Sequence, residues 1–300
     1  MTVYALNIFT LAAERGSFIK AASELNLTPS AVSHAIVNLE KEFGFPLFFR
    51  RKSGPVLTEN AKKIMPFVHE FLNDRERLMQ EVSRIQKLDN GIVRIGAFHS
   101  VSVEWMPGIL KKFAEKTPDI EVRFYRGIYR ELVTMIQGNI LDIALTVETV
   151  CAGYEFLPLW KEPLVCITPK EFIPRNGISV TPEELSENKL YLQAQDGNFE
   201  AESYIKRHGV KVYSYLNVDD DNMMLALVDQ GAGFSIVPEM AAYNKNYNTA
   251  VYPLEPKLER TIGMIFAAQR FLSPAVKLMK KEIQEYVSEL SDDRKHMMAE

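Results

Sequence analysis

A stretch near the N-terminus contains two short helical patterns joined by a tight turn. Ser17 stands where its hydroxyl can cap the first of these helices. The turn is predicted at residues 25–27, because Asn26 tolerates a left-handed backbone better than most residues that carry a side chain. Thr28 is a good cap for the second helix, and Pro29 suits its first position. A helix-turn-helix is therefore predicted here.

The second helix of this pair has one apolar face and one polar face. An inward stripe is predicted from apolar residues that recur at steps of three or four, namely Val32, Ile36, Leu39 and Phe43. Short hydrogen-bonding side chains on the other faces suit base edges and phosphates in a major groove. The residues of this helix predicted to contact DNA are Ser30, Ser33, His34 and Asn38. An ordinary amphipathic helix with a solvated outer face is the alternative.

A basic hairpin is predicted directly after the second helix. Residues 45–49 read as a short apolar strand, and Ser53-Gly54 makes a turn before a second strand at Val56-Leu57. Three consecutive cations lie between the strands, and they are Arg50, Arg51 and Lys52. Beside a helix-turn-helix, such a loop is typical of a wing whose cations contact DNA phosphates.

Many residues in this part of the chain follow one ordered pattern. They are Phe9, Ala12-Ala13-Glu14, Gly16-Ser17-Phe18, Ala21-Ala22, Leu25, Thr28-Pro29-Ser30-Ala31-Val32-Ser33, Leu39-Glu40, Phe43-Gly44, Leu47-Phe48, Arg50 and Leu57-Thr58. With these residues, the segment 1–60 resembles the DNA-binding domain of a LysR-type transcriptional regulator. The resemblance implies a winged helix-turn-helix that binds double-stranded promoter DNA. His34 departs from the pattern, because the family more often has a longer amide or basic side chain there.

The charge of the chain is divided unevenly. The whole sequence has a formal net charge of −4. Residues 1–90 hold 12 Lys+Arg and 10 Asp+Glu, whereas residues 91–300 hold 23 Lys+Arg and 29 Asp+Glu. The acidic excess therefore lies in the larger part, where no contact with phosphate is predicted. Because the first part is only modestly positive, two or more copies are expected to bind DNA together.

A long helix is predicted over residues 59–88, between the two parts. Its apolar residues follow steps of three and four that are typical of a coiled-coil seam, and they are Ile64, Val68, Phe71, Leu78, Val82 and Ile85. Packing of this helix on its own domain is the alternative. The resemblance implies a linker helix that pairs two subunits, and so a homodimer or a dimer of dimers is expected.

The remaining chain alternates predicted strands and helices, which favours parallel sheets with helices on both faces and an α/β class overall. Segments 138–144 and 228–233, with Pro238, resemble the family's effector-binding module. The resemblance implies two lobes like those of periplasmic binding proteins, with crossings near 147–170 and near Ala267. The predicted domains are a winged helix-turn-helix at 1–58, a linker and dimerisation helix at 59–89, and an effector-binding domain at 90–300, with lobe one at 91–162 and 267–300 and lobe two at 163–266.

A small effector is expected between the lobes, at the carboxyl ends of strands and the amino ends of helices. The loop around Ser100 offers hydroxyls and free amides, which suit an anion such as a carboxylate. Ile128 favours an aliphatic or aromatic body on the ligand. For each residue, the alternative is that it only caps its own helix. The predicted effector contacts are Ser100, Val101, Ser102, Ile128, Thr146, Gln195 and Asp219.

The sequence shows no catalytic or metal-binding pattern. The segment 233–237 lacks the second glycine of a nucleophile elbow. The five histidines have no helical spacing of metal ligands. We therefore predict no enzyme, no cofactor and no resident metal.

The location of the protein is predicted from apolar runs and cysteines. No apolar run approaches the roughly 18–20 residues that span a bilayer, and two cysteines are too few for a disulfide framework. A cytoplasmic protein without a membrane partner is expected. Two functional classes stay open. One is a ligand-responsive transcription regulator, and the other is a small-molecule-binding α/β protein or enzyme whose winged helix serves only dimerisation.

Overall fold

The computed structural model describes residues 1–51, 54–85, 91–193, 199–218, 221–243, 246–267 and 272–297. The chain divides into two compact units. The first unit consists mainly of Met1–Gly91, and the second comprises most of the remaining chain.

The first unit opens with three helices and a hairpin. The helices are α1 (Val3–Arg15), α2 (Phe18–Glu24) and α3 (Pro29–Phe43). The hairpin consists of β1 (Phe48–Arg51) and β2 (Gly54–Leu57), and the long helix α4 (Glu59–Ile85) follows it.

Local hydrogen bonds set the ends of α2 and α3. The Ser17 hydroxyl accepts from the backbone N–H of Lys20 at 3.3 Å, and the Thr28 hydroxyl accepts from that of Ala31 at 3.1 Å. Each bond satisfies one of the free amides in a first helical turn. Asn26 has φ 53°, in the left-handed region. The predicted helix-turn-helix and its turn are confirmed.

The hairpin begins later than the sequence pattern predicts. Strand β1 starts at Phe48, which pairs with Leu57, and it ends at Arg51 opposite Gly54. The Glu40 side chain on α3 accepts from the backbone N–H of Leu47 at 2.7 Å and from that of Phe48 at 3.3 Å. The prediction of a strand over 45–49 is therefore wrong in its first residues, because a side chain of α3 takes an N–H that a strand partner would otherwise bind.

One aromatic side chain joins the hairpin to the helices. The Phe48 ring packs edge-to-face against Phe9, with ring centroids 5.6 Å apart, and against Phe18, with ring centroids 5.3 Å apart. Ala21 and Ala22 are fully buried in the same core. Small side chains at these two positions let α2 pack closely against that core.

The predicted seam of α4 is divided in the structure. Val68 is buried in the core of the first unit, and Ile64 packs against that core. Farther along the helix, Phe71, Leu78 and Ile85 are exposed by 45, 63 and 78 %. Packing of α4 on its own domain therefore holds for the seam residues of its first turns, and Phe71 is the first predicted seam residue that one chain leaves exposed.

The second unit alternates strands and helices. Its strands are β3 (Gly91–Ala97), β4 (Ile120–Arg126), β5 (Ile143–Val147), β6 (Leu157–Pro169), β7 (Leu190–Gln193), β8 (Ser214–Leu216), β9 (Phe234–Pro238) and β10 (Thr249–Phe266). Its helices are α5 (His99–Glu104), α6 (Met106–Lys116), α7 (Tyr129–Gln137), α8 (Pro182–Glu187), α9 (Phe199–His208), α10 (Asp221–Asp229), α11 (Glu239–Ala242) and α12 (Pro274–Met297).

The eight strands form one mixed sheet, in the order β4-β3-β5-β10-β6-β9-β7-β8. Strand β3 pairs with β5, and β7 with β8 and β9, in parallel, as the alternation predicts. The two long central strands β6 and β10 are antiparallel to each other and to their other neighbours. The prediction of purely parallel sheets is therefore wrong at the centre. Strand β10 already pairs with β5 through residues 262–266, so the chain returns before Ala267.

Strand ends from both halves of the sheet converge on the two central strands. Strand β5 ends at Val147, which lies opposite Ile262 of β10. Strand β9 ends at Pro238, which lies opposite Leu164 of β6. Between these points, residues 162 and 260 are cross-strand partners of β6 and β10. Carboxyl ends of strands are the usual ligand-binding edge of α/β sheets.

Candidate DNA-binding surface and effector site

The polar face of α3 is open to solvent. Ser30, His34 and Asn38 are exposed, and Ser33 is half-buried. Residues four apart lie on one face of a helix, so the three exposed side chains form a line along α3. The apolar stripe of the same helix is buried in the core of the first unit. The helix therefore presents hydrogen-bonding groups of a size that suits base edges.

The hairpin places one described cation beside this helix-turn-helix. Arg51 is exposed at the end of β1, opposite Gly54. Gly54 has φ +117°, and a Cβ there would lie 2.6 Å from the carbonyl oxygen of Gly16. A side chain at this position is excluded by both features, so the hairpin packs closely against the link between α1 and α2. The side chain of Arg50 and all of Lys52 lie outside the described residues.

The predicted effector residues of α5 differ in what their side chains contact. Val101 is fully buried. The Ser102 hydroxyl donates to the carbonyl oxygen of Phe98 at 2.7 Å, which is a local bond within α5 but not a cap of its free N–H groups. Ser100 is 5 % exposed, and its hydroxyl bonds to a residue on a distant strand. Of these three, Ser100 is the residue that the fold brings to the converging strand ends.

Two of the other predicted effector residues, Ile128 and Thr146, lie within the described residues. Ile128 is half-buried between β4 and α7. Thr146 is fully buried, and it lies inside β5 rather than after it. Within the described residues, its hydroxyl oxygen has no hydrogen-bond partner. Gln195 and Asp219 lie outside the described residues.

A buried arginine that the sequence pattern does not single out lies at the convergence of the strand ends. Arg260 is 3 % exposed, and the Glu162 beside it is fully buried. The Glu162 Oε2 accepts from Nε of Arg260 at 2.7 Å and lies 2.6 Å from Nη2. Arg260 also donates from Nη2 to the Ser100 hydroxyl at 3.2 Å and from Nη1 to the Tyr129 hydroxyl. We call Arg260, Glu162, Tyr129 and Ser100 the arginine cluster.

Two aromatic rings enclose the guanidinium of the arginine cluster. Its central carbon lies 5.0 Å from the ring centroid of Phe98 and 5.9 Å from that of Tyr129. The two rings meet at 4.8 Å in an edge-to-face arrangement. The face of an aromatic ring attracts a cation, and this attraction grows when water is excluded. The rings therefore help to hold a charged group in the interior.

The charges of the cluster stabilise one another. Burial by itself lowers the pKa of the Arg260 guanidinium, but the Glu162 carboxylate acts against burial and the pKa is raised. Burial raises the pKa of the Tyr129 hydroxyl, although the positive charge of Arg260 opposes the rise. Arg260 is therefore a permanent cation, and Tyr129 is a protonated phenol over the whole physiological range.

Two residues of the later part of the chain extend the polar environment. The backbone N–H of Met240, in α11, donates to Oε1 of Glu162 at 3.0 Å. Asp221, the first residue of α10, accepts from the Gln193 side chain at 3.0 Å. Burial raises the pKa of Asp221, whereas the charge of Arg260 lowers it. Elements from both halves of the sheet thus contact the cluster or carry charges that act on it.

Sequence reasoning missed Tyr129, Glu162 and Arg260. Each stands next to an apolar stretch, and a charged residue at the edge of a buried strand is the signal that could have drawn attention to the last two. Their pairing joins residues 98 positions apart. Local periodicity cannot predict that pairing, because the pairing depends on the register of β6 against β10.

Two protein-family models match the chain. The bacterial regulatory helix-turn-helix protein, lysR family, matches residues 3–62, and the LysR substrate binding domain matches residues 86–288. The chain belongs to the LysR family of transcription regulators. It is thus a DNA-binding transcription regulator with an effector-binding domain, and the prediction of a regulator rather than an enzyme is confirmed.

Relatives along the whole chain agree with this family. The uncharacterized HTH-type transcriptional regulator YvbU of Bacillus subtilis is 26 % identical over 94 % of this chain and 99 % of its own length. The HTH-type transcriptional regulator CzcR of the same organism is 27 % identical over 94 % of this chain and 96 % of its own length. The chain therefore spans both domains of a LysR-family regulator.

Solved structures share the fold. Full-length OxyR from Pseudomonas aeruginosa has a TM-score of 0.72 at 19 % identity, and it covers 95 % of this chain and 98 % of its own. Full-length CbnR, solved in complex with its target DNA, has a TM-score of 0.66 at 19 % identity, over 95 % of this chain and 100 % of its own. The effector-binding domain of QuiR, solved in complex with shikimate, has a TM-score of 0.60 at 21 % identity, over 67 % of this chain and 98 % of its own. At such identities the likeness shows the fold alone.

Proposed function

We propose that this LysR-family regulator is controlled by a small effector with an anionic group, bound between two α/β lobes. The observation that carries the proposal is the arginine cluster, an ion pair of Arg260 and Glu162 with two buried hydroxyl groups at the convergence of strand ends. A ligand in the proposed cleft would meet this cluster beside the Ser100 loop. The carboxylate of shikimate, the ligand in the QuiR complex, is an example of the anion proposed.

We propose the domain division 1–58, 59–89 and 90–300, with lobe one at 91–162 and 267–300 and lobe two at 163–266. The antiparallel central strands support two lobes, because β3, β4 and β5 lie on one side of them and β7, β8 and β9 on the other. The proposed effector contacts are Ser100, Val101, Ser102, Ile128, Thr146, Gln195 and Asp219. Ser100 has the best support, because its hydroxyl takes part in the cluster.

We propose that Ser30, Ser33, His34 and Asn38 contact the major groove and that Arg50, Arg51 and Lys52 contact phosphates. The exposure of Ser30, His34, Asn38 and Arg51 supports this assignment. Short polar side chains on α3 can reach base edges, and cations on the hairpin can neutralise backbone charge.

We propose that the protein acts as a homodimer or a dimer of dimers, in the cytoplasm, where bacterial promoter DNA is found. The stripe of α4 from Phe71 to Ile85, which one chain leaves exposed, supports pairing through this helix. Among the described helices, none is both long and apolar enough to cross a membrane. Effector binding would favour a closed arrangement of the lobes, change how the subunits are arranged and alter DNA bending.

The proposal is tested by a thermal-shift screen of small carboxylates and aromatic acids, shikimate included, on the full-length protein. An acid that binds is expected to raise the melting temperature by mass action. The same acid should then change the affinity for DNA from the regulator's own promoter, measured by fluorescence anisotropy. Binding of acids to the protein without any change in DNA affinity at saturation would contradict effector control.

A further inference from the structure

One buried guanidinium donates to two buried hydroxyls. Arg260 donates to the Ser100 hydroxyl at 3.2 Å and to the Tyr129 hydroxyl. Ser100 is 5 % exposed and Tyr129 is 7 % exposed, so solvent has little access to either group. Both residues are therefore acceptors toward the same cation.

The polarity of these hydrogen bonds is fixed. An arginine side chain has five N–H donors, accepts no hydrogen bond and keeps its charge in proteins. A hydroxyl that accepts from it must point its own proton elsewhere. Within the part of the chain that the structure describes, neither the Ser100 nor the Tyr129 hydroxyl donates to a protein acceptor. Two buried O–H donors thus lie on either side of one guanidinium, and buried donors call for an acceptor.

Glu162 holds the guanidinium in this orientation. Its Oε2 contacts Nε at 2.7 Å and Nη2 at 2.6 Å, while its Oε1 accepts from the backbone N–H of Met240 at 3.0 Å. The ion pair is internally neutral. The cation therefore acts on a ligand mainly through the direction in which it turns the two hydroxyls.

A third buried hydroxyl lies at the same edge of the sheet. Ala97 of β3 is the register partner of Leu145 of β5, so Phe98 and Thr146 follow side by side. The Thr146 side chain is fully buried, and its oxygen has no hydrogen-bond partner among the described residues. This observation is independent of Arg260, and it also indicates a missing polar partner at this edge.

We propose that Arg260 is a positioning residue that makes Ser100 and Tyr129 a pair of donors for an acceptor oxygen of the effector. The inference rests on the proposed function of this site, and it deepens it by naming the chemistry of recognition. A carboxylate or a carbonyl oxygen supplies the acceptor that these O–H donors lack. An amine or other cation, which only donates, offers neither hydroxyl an acceptor and leaves both buried donors unpaired.

The test compares acids, amides and amines that share one carbon skeleton. The probes are benzoate, benzamide and benzylamine, and acetate, acetamide and methylamine, measured by calorimetry on the full-length protein. In at least one series, the acid is expected to bind about tenfold or more tightly than the amine, because the amine leaves two donors unpaired. The amide arm distinguishes a carbonyl oxygen from a charged carboxylate. An amine that binds as tightly as its acid, or no binding by any acid or amide, overturns the proposal.

The role of Arg260 is tested by the paired change Arg260→Gln with Glu162→Gln, which removes both charges together. The preference for acid over amine is expected to fall by about tenfold, because the two hydroxyls become free to rotate and accept. Equal weakening of all probes would show a merely structural role and overturn the proposal. Ser100→Ala and Tyr129→Phe each remove one donor and should lower acid affinity even if the paired variant folds poorly.

A second ion pair in the same sheet provides the matched control. Arg94 contacts Asp142 at 3.4 Å, six residues before Ser100, and both side chains are largely buried. The paired change Arg94→Gln with Asp142→Asn is expected to leave the preference for acid over amine unchanged. Loss of the preference in this variant as well would overturn a specific role for Arg260. A probe that binds with the predicted preference but leaves DNA affinity unchanged would contradict the proposed function alone.

Discussion

The exposed face of α3 and the buried arginine cluster both present polar groups to a partner, but they are built in opposite ways. Ser30, His34 and Asn38 lie on one helix within nine residues of each other, and solvent reaches all three. The cluster joins Ser100 to Arg260 across 160 positions of the chain, and it is closed to solvent. A site on one helix is set by the helical repeat, whereas a site across strands is set by packing.

The two regions should also respond differently to substitution. Exposed side chains contribute little to stability, so their loss affects binding alone. Buried ion pairs are costly to break, because the remaining charge has no water to replace its partner. We therefore expect changes on the exposed face of α3 to leave folding intact, and removal of one charge of the Arg260–Glu162 pair to lower stability.

The largest effect is expected from removal of one member of the buried ion pair. Arg260→Met leaves the Glu162 carboxylate buried without its cation and should lower the free energy of unfolding by about 3–5 kcal/mol. Urea denaturation of the full-length protein measures this change. Adding Glu162→Gln should recover most of the loss, since the uncompensated charge is then removed. A single variant as stable as the parent would contradict the role of the pair in the fold.

A smaller effect is expected from the exposed half of α4. Leu78→Glu places a charge in the proposed seam and should lower DNA affinity by about a hundredfold or more, because two linked copies bind far better than one. Analytical ultracentrifugation should show loss of the dimer. The control is Ile173→Glu, since Ile173 is 72 % exposed and lies outside α4. The seam assignment fails if both variants dissociate equally.

The next largest effect is expected on DNA affinity, from a change in α3. His34→Ala should weaken binding to the best operator by about 1–3 kcal/mol, as expected for loss of one good base contact. Its free energy of unfolding should change by less than about 0.5 kcal/mol, because the side chain is exposed. Ser23→Ala, on the exposed side of α2, is the control for DNA affinity measured by anisotropy. If His34→Ala binds all sequences as the parent does, the base contact is ruled out.

The smallest effect is expected from the wing. Arg51→Ala should weaken binding by a similar factor on every sequence and reduce the slope of log affinity against log salt concentration by about 0.9, as for one lost phosphate contact. Arg123→Ala, an exposed cation of the second unit, should leave the slope unchanged. A change in sequence preference rather than slope would move Arg51 from the backbone to a base edge.

Much of the fold could be predicted from local patterns. The caps Ser17 and Thr28, the left-handed Asn26 and the helical repeat of α3 act within a few residues, and the structure confirms them. The family model confirms the regulator class. Local patterns fail where a residue distant in the sequence binds or buries a group that the pattern assigned to another partner. The Glu40 side chain accepts from the backbone N–H of Leu47, a residue that the pattern assigned to a strand. Val68, which was predicted in the seam, is buried in the core of the first unit.

The sequence by itself therefore determined the helix-turn-helix, the alternating order of the second unit and the family, because each depends on short repeats and local hydrogen bonds. Only the tertiary structure decided that β6 and β10 run antiparallel through the centre of the sheet and that Glu162 faces Arg260 between them. Strand register is fixed by the packing of whole layers, and a shift of one residue would turn either side chain to the other face. The polar cluster proposed to receive the effector thus exists only once the sheet is assembled.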